Sequence, residues 1–547
     1  MKKDLKRQVF AVAMSSTMML TGMGISMVPT FAEGTASITV NNAVKGAKYK
    51  IYKLAVGTFK DDSSNKIGDV DVNTSYRDTV VKVLEKHDTS FKLDTSASTK
   101  EQDEAIMKAI SGLGDKKQKF ANDLANALVN SNATYTETAA DGSFKQENME
   151  DGYYLIMSDT SDATYTKDSN SMTSAILYPI HGAKTVNSKS STPTLKKNVE
   201  DTSSTAWNKD YNKAADAGLI DSKIEGLRYK LTGTVASNIA DFDTYQYEFR
   251  DTLPKGLSVT KAELDKDWGV TIKAQGKDAS DGDIDADVSS AFTSSVSDAT
   301  TTAGSTIKWS ATDLKAALKK AGFTDDTMKD AKVIVTYKPV YDSTDINQMY
   351  ASASKLSEPD INTADLSFSN NPYEGGSGTT SKTPEDQNKV YDYNLVIHKI
   401  GEDKNAVTGA KFTLTDAKGN TVGKDLTADD NGTFTFVGLD SDTEYTITET
   451  KVPKGYKHID PIKFKITSTP DEHKTSVTSI AATEVSDTSN AAELEVSDAT
   501  VNATITNIQG PDMPLTGRQG IMLGLVVGGA IVSASLIEMH KNKKEEA

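Results

Sequence analysis

A lysine and an asparagine occupy inward-facing positions on two strands that the sequence predicts near its C-terminal end. Lys399 follows Leu395 and Ile397 at two-residue spacing, so its amine is predicted to point into the core. Asn507 alternates in the same way with the apolar residues before it. Burial disfavours the charged form of a lysine, which lowers its pKa and favours the neutral, nucleophilic amine. The pattern therefore predicts a reactive amine in a dry core that also holds a carboxamide.

The segment between these two strands indicates what the amine could do. Tyr445–Tyr456 resembles the Y-x-x-x-E-T-x-x-P-x-G-Y box of the collagen-adhesin B-type domain, and Gly409–Leu414 resembles that family's G-A-x-F-x-L strand. The resemblance implies an isopeptide bond promoted by Glu449. A neutral Lys399 amine would attack the carboxamide of Asn507 while a protonated Glu449 polarises the carbonyl and shuttles protons. No cofactor is needed. The alternative is a buried ion pair of Lys399 and Glu449 without the bond.

An earlier segment repeats this logic with a second lysine. Pro193–Val199 resembles the first strand of the pilin middle domain, and alternation with the apolar residues of that strand selects Lys197 as the inward lysine. Leu366–Pro372 resembles the closing S-N-x-P strand of the same domain, and its alternation favours Asn370. We therefore expect a second cross-link between Lys197 and Asn370.

The acid for this second bond is predicted on a strand that lies between Lys197 and Asn370 in the sequence. Asp251 alternates with Tyr247 and Phe249, and related pilins carry an aspartate at this place. Glu248 is the alternative acid on the same strand. We expect Asp251 to promote the bond, with no metal ion involved.

A lysine that could join one copy of the chain to another lies in the junction before this segment. In related pilins a Pro-Lys pair stands eight residues before the isopeptide lysine, and Lys189 stands eight before Lys197, with Ser188 in place of the proline. The resemblance implies that Lys189 is the intersubunit lysine. Lys184 is the alternative, and an ordinary solvated linker lysine is a third possibility.

The C-terminal end resembles the L-P-x-T-G sorting signal of wall-anchored Gram-positive proteins. An uncharged run at 519–537 follows it, long enough to cross a hydrocarbon core of about 30 Å, and a cationic tail comes next. The resemblance implies that a sortase attacks the carbonyl of Thr516 and passes the acyl group to an amine of a peptidoglycan precursor or of another copy of the protein. Tip and basal pilins are further expected partners. The motif consists of Met513, Pro514, Leu515, Thr516 and Gly517.

Composition and the N-terminal end agree with export. A basic start and an uncharged run to Ala32 predict a signal peptide at 1–32. The chain has no cysteine, so covalent reinforcement outside the cell must use other chemistry. Its net charge of −16 disfavours nucleic acid as a partner.

The remaining chain predicts a mostly β architecture. Short apolar strands alternate with polar turns, which indicates tandem immunoglobulin-like or collagen-adhesin B-type sandwich domains. A helical insertion is predicted in the first domain, where Ile106, Ile110 and Leu113, then Phe120, Leu124 and Leu128, recur at helical spacing. A flexible linker is predicted at 373–380. The predicted divisions are a signal peptide at 1–32, domains at 33–188, 189–385 and 390–510, and a sorting signal at 513–547.

Together these features resemble the shaft pilins that sortase assembles on Gram-positive bacteria. The resemblance implies a secreted, cell-wall-anchored protein in an extracellular fibre, which is not an enzyme but forms its own internal bonds. The alternative is a non-polymerising wall-anchored adhesin, because adhesins use the same domains and sorting signal.

Overall fold

A computed structural model describes most of the chain between the predicted signal peptide and the sorting signal. The described residues are 35–59, 67–167, 170–189, 191–201, 211–212, 219–220, 223–224, 227–342, 355–376, 378–429, 431–472 and 476–510. The predicted signal peptide, the motif at 513–517 and the apolar run at 519–537 lie outside them. Within these ranges no helix is long and apolar enough to cross a membrane.

The first domain combines two small sheets with a group of helices. Its strands are β1 (Ala36–Asn41), β2 (Lys48–Phe59), β3 (Ile67–Val72), β4 (Tyr135–Thr138), β5 (Phe144–Met149), β6 (Gly152–Ser158), β7 (Ile176–Ile180) and β8 (Ala183–Asn187). Its helices are α1 (Arg77–His87), α2 (Thr99–Ser111), α3 (Lys117–Leu128) and α4 (Thr164–Lys167). One sheet has the order β5-β1-β8, and the other has the order β3-β2-β6-β7 with β4 paired to β2.

The helical insertion predicted for this domain is confirmed. All six apolar residues of the two predicted stripes are buried in the core of the first domain. Helix α2 begins at a capping box in which the Ser98 side chain accepts from the backbone of Glu101 and the Glu101 side chain accepts in return. The apolar stripes therefore pack the helices onto the sheets.

The second domain is a sandwich of two larger sheets. Its strands are β9 (Leu195–Asp201), β10 (Tyr211–Asn212), β11 (Leu219–Ile220), β12 (Lys223–Ile224), β13 (Leu227–Thr234), β14 (Tyr247–Thr252), β15 (Thr271–Lys277), β16 (Asp283–Asp287), β17 (Thr293–Ser297), β18 (Thr306–Ala311), β19 (Lys332–Tyr337), β20 (Tyr341–Asp342), β21 (Asp360–Ser369), β22 (Thr380–Lys382) and β23 (Asp386–Val390). Its helices are α5 (Lys261–Asp267) and α6 (Leu314–Lys320).

The two main sheets of this domain face each other across an aromatic core. One has the order β16-β15-β19-β13-β9, and the other has the order β10-β23-β21-β14-β18-β17 with β22 on β21. Trp268, Trp309, Phe249 and Tyr337 are buried between them. Since β9 and β14 belong to opposite sheets, inward side chains from the two strands can meet in this core.

The third domain is a second sandwich, and its first and last strands are neighbours. Its strands are β24 (Tyr393–Gly401), β25 (Lys411–Asp416), β26 (Thr421–Thr427), β27 (Thr433–Leu439), β28 (Glu444–Lys451), β29 (Ile462–Pro470), β30 (Val477–Ser486), β31 (Ala492–Ser497) and β32 (Thr500–Asn507). The sheets have the orders β27-β24-β32-β31 and β26-β25-β28-β29-β30. Strands β24 and β32 run parallel, with Gly401 opposite Asn507. The mostly β fold with helical insertions is confirmed.

The segment that begins at Tyr373, which the sequence predicted to be a flexible linker after the second domain, instead starts in contact with the first domain. Tyr373 is 2% exposed and packs in the core of the first domain, although it follows β21 of the second. Its hydroxyl accepts from the backbone of Ser158 at 2.8 Å and donates to the carbonyl of Thr173 at 2.7 Å. Strands β22 and β23 then pair with β21. The segment is therefore part of a packed joint, and the second domain extends to Val390 instead of ending at 385.

Candidate functional site

The predicted amine and carboxamide of the third domain are in contact. Lys399 on β24 is 1% exposed and Asn507 on β32 is fully buried. The Lys399 ammonium nitrogen donates to Asn507 Oδ1. The parallel pairing of the first and last strands creates this contact, because both residues lie at the C-terminal ends of their strands.

Glu449 reaches both groups from the opposite sheet. Strand β28 pairs with β25, and a register shift falls where Phe412 faces Glu449. The Glu449 side chain is fully buried, with Oε1 3.8 Å from Lys399 Nζ and accepting a hydrogen bond from Asn507 Nδ2 at 3.2 Å. The backbone of Ile459 donates to Oε2 at 3.4 Å. One carboxyl group thus contacts the amide and lies beside the amine.

Burial changes the protonation of these groups in the direction that the chemistry requires. Desolvation lowers the pKa of Lys399 to about 8, against the opposing attraction of Glu449. Desolvation raises the pKa of Glu449, although Lys399 and Asn507 oppose that shift. Both shifts favour the neutral forms, a nucleophilic amine and a protonated acid.

Two further residues surround this site that the sequence reasoning missed. Lys399 Nζ lies 5.6 Å from the centre of the Phe412 ring. His458 Nδ1 lies 3.8 Å from Glu449 Oε2, and desolvation lowers the pKa of His458. Phe412 stands in the G-A-x-F-x-L strand, so the motif itself was a signal for it. His458 follows the sequence box and had no comparable signal.

The second domain also brings its predicted lysine and acid together. Lys197 on β9 and Asp251 on β14 are both fully buried, and the Lys197 ammonium donates to Asp251 Oδ2. The centre of the Tyr229 ring lies 4.7 Å from Lys197 Nζ. Desolvation lowers the pKa of Lys197, opposed by the charge and hydrogen bond of Asp251. Glu248, the alternative acid, instead bonds Arg250 at 2.5 Å and Ser310 at 2.7 Å.

Asn370 does not join this pair, which corrects the sequence prediction. Asp251 lies opposite Ala364 on β21, whereas Asn370 lies beyond the end of that strand, about 20 Å further along at the rise of an extended chain. Its Nδ2 donates to Ser381 Oγ at 2.7 Å, and its Oδ1 accepts from Thr379 at 2.7 Å. Its backbone carbonyl accepts from Met172 of the first domain at 2.8 Å. Asn370 therefore belongs to the joint between the first two domains.

Asn362 takes the place that the prediction gave to Asn370. It is fully buried and lies two residues before Ala364, so it shares the inward face of β21. Its Nδ2 donates to the Tyr337 hydroxyl at 3.1 Å, and Lys197 Nζ donates to the same hydroxyl at 3.4 Å. The alternation that favoured Asn370 fits Asn362 equally well. Only the register of β21 against β14 distinguishes the two.

The two candidate intersubunit lysines differ in exposure. The side chain of Lys189 is 56% exposed, and its Nζ lies 3.4 Å from Asp241 in the 3-10 helix Ile239–Asp241 that follows β13. Lys184 lies on β8, paired with Ile38 of β1, and is half-buried. Lys189 thus presents the more accessible amine.

The third domain also matches a known family. Residues 393–481 match the SpaA family model, a prealbumin-like fold domain. This match contains Lys399 and Glu449 and ends before Asn507. A comparison with curated proteins gives no match.

Solved pilins align with most of the chain at low identity. The T6 backbone pilin of Streptococcus pyogenes serotype M6 is 15% identical, with 88% of this chain and 100% of the pilin covered at a TM-score of 0.49. The major pilin SpaD of Corynebacterium diphtheriae is 15% identical, with 87% and 98% covered at 0.42. BcpA, the major pilin subunit of Bacillus cereus, is 12% identical, with 87% and 100% covered at 0.38.

Proposed function

We propose that this chain is the shaft subunit of a sortase-assembled pilus, reinforced by two intramolecular Lys–Asn isopeptide bonds. One observation carries the proposal: Lys399, Asn507 and Glu449 meet in a buried core that connects the first strand of a domain to its last. Such a site acts once on its own chain and is not an enzyme. One bond would form between Lys399 and Asn507, and the other between Lys197 and Asn362.

The chemistry in the third domain needs only the groups already in contact. The neutral Lys399 amine attacks Cγ of Asn507, and the protonated Glu449, whose Oε1 lies at Nδ2, acts on the leaving nitrogen. Glu449 takes the proton released by the amine and delivers one to Nδ2, so that ammonia leaves and an amide bond remains. The dry core favours both the neutral Lys399 amine and the protonated Glu449 that these steps require.

Such a bond suits a protein under tension. Force that enters β24 at its N-terminal end would pass from Lys399 to Asn507 and leave through the end of β32. It would bypass the chain between them, since the two residues are 108 positions apart. A single hydrogen bond contributes only about 1 kcal/mol net, so strands held by hydrogen bonds alone would open far more easily.

Polymerisation would use the two remaining features. In our proposal sortase forms an acyl-enzyme at Thr516, and the exposed amine of Lys189 on the next copy accepts the acyl group. Repetition gives an open fibre of identical heterologous contacts. Transfer to a peptidoglycan precursor would end the fibre at the wall, and tip and basal pilins would be further partners.

The test is peptide mapping of wall extracts from the producing cell. We expect a ladder of species that survives boiling in detergent, with peptides that join Thr516 to Lys189, Lys197 to Asn362 and Lys399 to Asn507. Each internal bond should lower the mass by one ammonia molecule. The Lys189→Ala variant should lose the ladder and keep both internal bonds, whereas Lys184→Ala should keep the ladder.

Other outcomes identify the competing functions. Monomers with both internal bonds and no ladder would indicate a non-polymerising wall-anchored adhesin. A ladder that Lys184→Ala abolishes would transfer the intersubunit role to Lys184. Unmodified lysines at both sites would refute the isopeptide proposal, and the Glu449→Gln variant provides the matched reference for a third domain without its bond.

A further inference from the structure

The second domain raises a problem that the third does not. In the third domain Glu449 hydrogen-bonds the leaving nitrogen of Asn507 and lies beside the attacking amine. In the second domain the corresponding acid, Asp251, bonds the lysine through Oδ2, and its Oδ1 has no hydrogen-bond partner among the described residues. The Asp251 contact therefore accounts for the amine but not for the proton that the leaving nitrogen must gain.

A tyrosine hydroxyl contacts both nitrogens of the second site. The Tyr337 oxygen lies 3.4 Å from Lys197 Nζ and 3.1 Å from Asn362 Nδ2. It is a hydroxyl, so it can accept a proton at one side and donate its own at the other. When the lysine displaces ammonia from the asparagine, the lysine nitrogen must lose a proton and the asparagine nitrogen must gain one. These are the two nitrogens that the hydroxyl contacts.

The surroundings fix the position of this hydroxyl. Tyr337 ends β19, faces Tyr229 on β13 and is 1% exposed. Its ring stacks on Tyr229 at 5.4 Å and on Trp268 at 5.6 Å between centroids, with Trp309 at 5.5 Å. A ring held on several sides keeps its hydroxyl in one place, which is the preorganisation that proton transfer requires.

We propose that Tyr337 is a catalytic residue of the second domain, whose hydroxyl carries a proton from Lys197 Nζ to Asn362 Nδ2. The proposal rests on the isopeptide function proposed above and adds a residue to it. It assigns to Tyr337 the transfer that Glu449 performs in the third domain, and leaves Asp251 to deprotonate and hold the amine.

The reaction moves protons only among Asp251, Lys197, Tyr337 and Asn362. Asp251 takes one proton from the Lys197 ammonium, which becomes a neutral amine. The amine nitrogen attacks Cγ of Asn362, and the new C–N bond leaves a positive nitrogen that passes a proton to the Tyr337 oxygen. Tyr337 gives its own proton to Nδ2, which becomes a competent acceptor once Cγ is tetrahedral. The C–Nδ2 bond breaks, ammonia leaves, and Tyr337 ends as it began.

The test compares rates of ammonia loss in the two domains of one chain. Full-length protein would be recovered unfolded in urea from inclusion bodies, refolded by dilution, and sampled over time by peptide mass spectrometry. We expect Tyr337→Phe to slow the Lys197–Asn362 bond by about 100-fold or more, the usual size of a general acid–base contribution. The Lys399–Asn507 bond in the same molecules should form at the wild-type rate.

Tyr247→Phe is the matched control. It also removes a buried hydroxyl from this core, one that donates to the Thr234 carbonyl at 2.7 Å and contacts neither reacting nitrogen. It should leave both rates unchanged. Wild-type kinetics in Tyr337→Phe would overturn the proposal, and so would equal slowing by the two phenylalanine variants.

A second variant covers the case in which Tyr337→Phe does not refold. Trifluorotyrosine at position 337 keeps the ring and hydroxyl but makes the hydroxyl a stronger acid. A proton carrier predicts a changed rate of the Lys197–Asn362 bond, whereas a purely packing role predicts the wild-type rate and would refute the proposal. A wild-type chain that forms no Lys197–Asn362 bond at all would instead refute the proposed function of this domain.

Discussion

The second and third domains place similar groups in their cores but connect them differently. In the third domain Glu449 contacts Asn507 and lies 3.8 Å from the lysine amine. In the second domain Asp251 bonds the lysine, and Tyr337 connects the lysine to the asparagine. Aspartate is one methylene shorter than glutamate, so a second polar group has to cover the remaining distance. The comparison teaches that a site needs a contact to each nitrogen, which one long acid or a short acid with a hydroxyl can supply.

The two sites also differ in what they would protect from force. The Lys399–Asn507 connection ends at the last residue of β32. The Lys197–Asn362 connection reaches only the beginning of β21, so the rest of that strand, β22 and β23 remain outside it. In this part of the domain β21 pairs with β14, and β22 and β23 pair with β21. Tyr373, which follows β21, adds a contact by packing into the core of the first domain. The third domain would therefore be the more completely bridged of the two.

The largest effect expected from this comparison is on stability. Asn507→Ala and Asn362→Ala should each lower the free energy of unfolding of their own domain by about 4–5 kcal/mol, because a cross-link over a loop of this length restricts the unfolded chain as a disulfide does. Thermal unfolding and trypsin digestion of the full chain measure this loss. The control is Asn388→Ala, since Asn388 is buried opposite Asn362 on β23 and should keep the bond. If Asn388→Ala removed the bond and Asn362→Ala kept it, the asparagine that reacts would lie on β23, and our assignment to β21 would be wrong.

The amino-acid pattern could predict most of the third site. The E-T-x-x-P-x-G-Y box identified Glu449, and two-residue alternation identified Lys399 and Asn507. These residues are close in the fold because the strands at the ends of the domain are neighbours, which the motif already implies. The mostly β class and the helices of the first domain followed from periodicity in the same way.

The second site could be predicted only in part. Alternation selected Lys197 and Asp251, but it fits Asn362 and Asn370 equally, since the two asparagines are an even number of residues apart. The choice depends on how β21 pairs with β14, a contact between strands far apart in the chain. Tyr337 had no motif at all, and Tyr373 stood in a Gly- and Ser-rich segment that favoured a linker. Long-range register and packing decided each of these cases.

The next effect concerns pH, where the third domain offers a defined value. The pKa of Lys399 is lowered to about 8, so below that pH the fraction of Lys399 that is neutral increases about tenfold for each pH unit. At pH values below both this value and the raised pKa of Glu449, the Lys399–Asn507 bond should therefore form about ten times faster for each unit of rising pH. Refolding of the full chain into a series of buffers, followed by mass spectrometry, measures this profile.

The raised pKa of Glu449 sets the opposite limit. The acid must also keep its proton, so the rate should level off between the pKa values of the two groups and fall once the pH exceeds both. Glu449→Gln should remove the bond at every pH. A rate of bond formation in the wild type that does not vary with pH would contradict the requirement for a neutral amine.

The smallest expected effect distinguishes Asn362 on β21 from Asn370, which follows the end of that strand. Asn370→Ala should keep both ammonia losses, because the side chain bonds Ser381 and Thr379 in the joint and lies far from Lys197. Loss of these hydrogen bonds should weaken the joint by about 1 kcal/mol for each bond. Hydrogen exchange measures this weakening at the amide of Met172, which donates to the Asn370 carbonyl. We expect exchange about thirtyfold faster there, which corresponds to about 2 kcal/mol for the two bonds, whereas Asn362→Ala should leave it unchanged. If Asn370→Ala instead removed one ammonia loss, Asn370 would be the partner of Lys197, and β21 would have to pair with β14 in a different register before the bond forms.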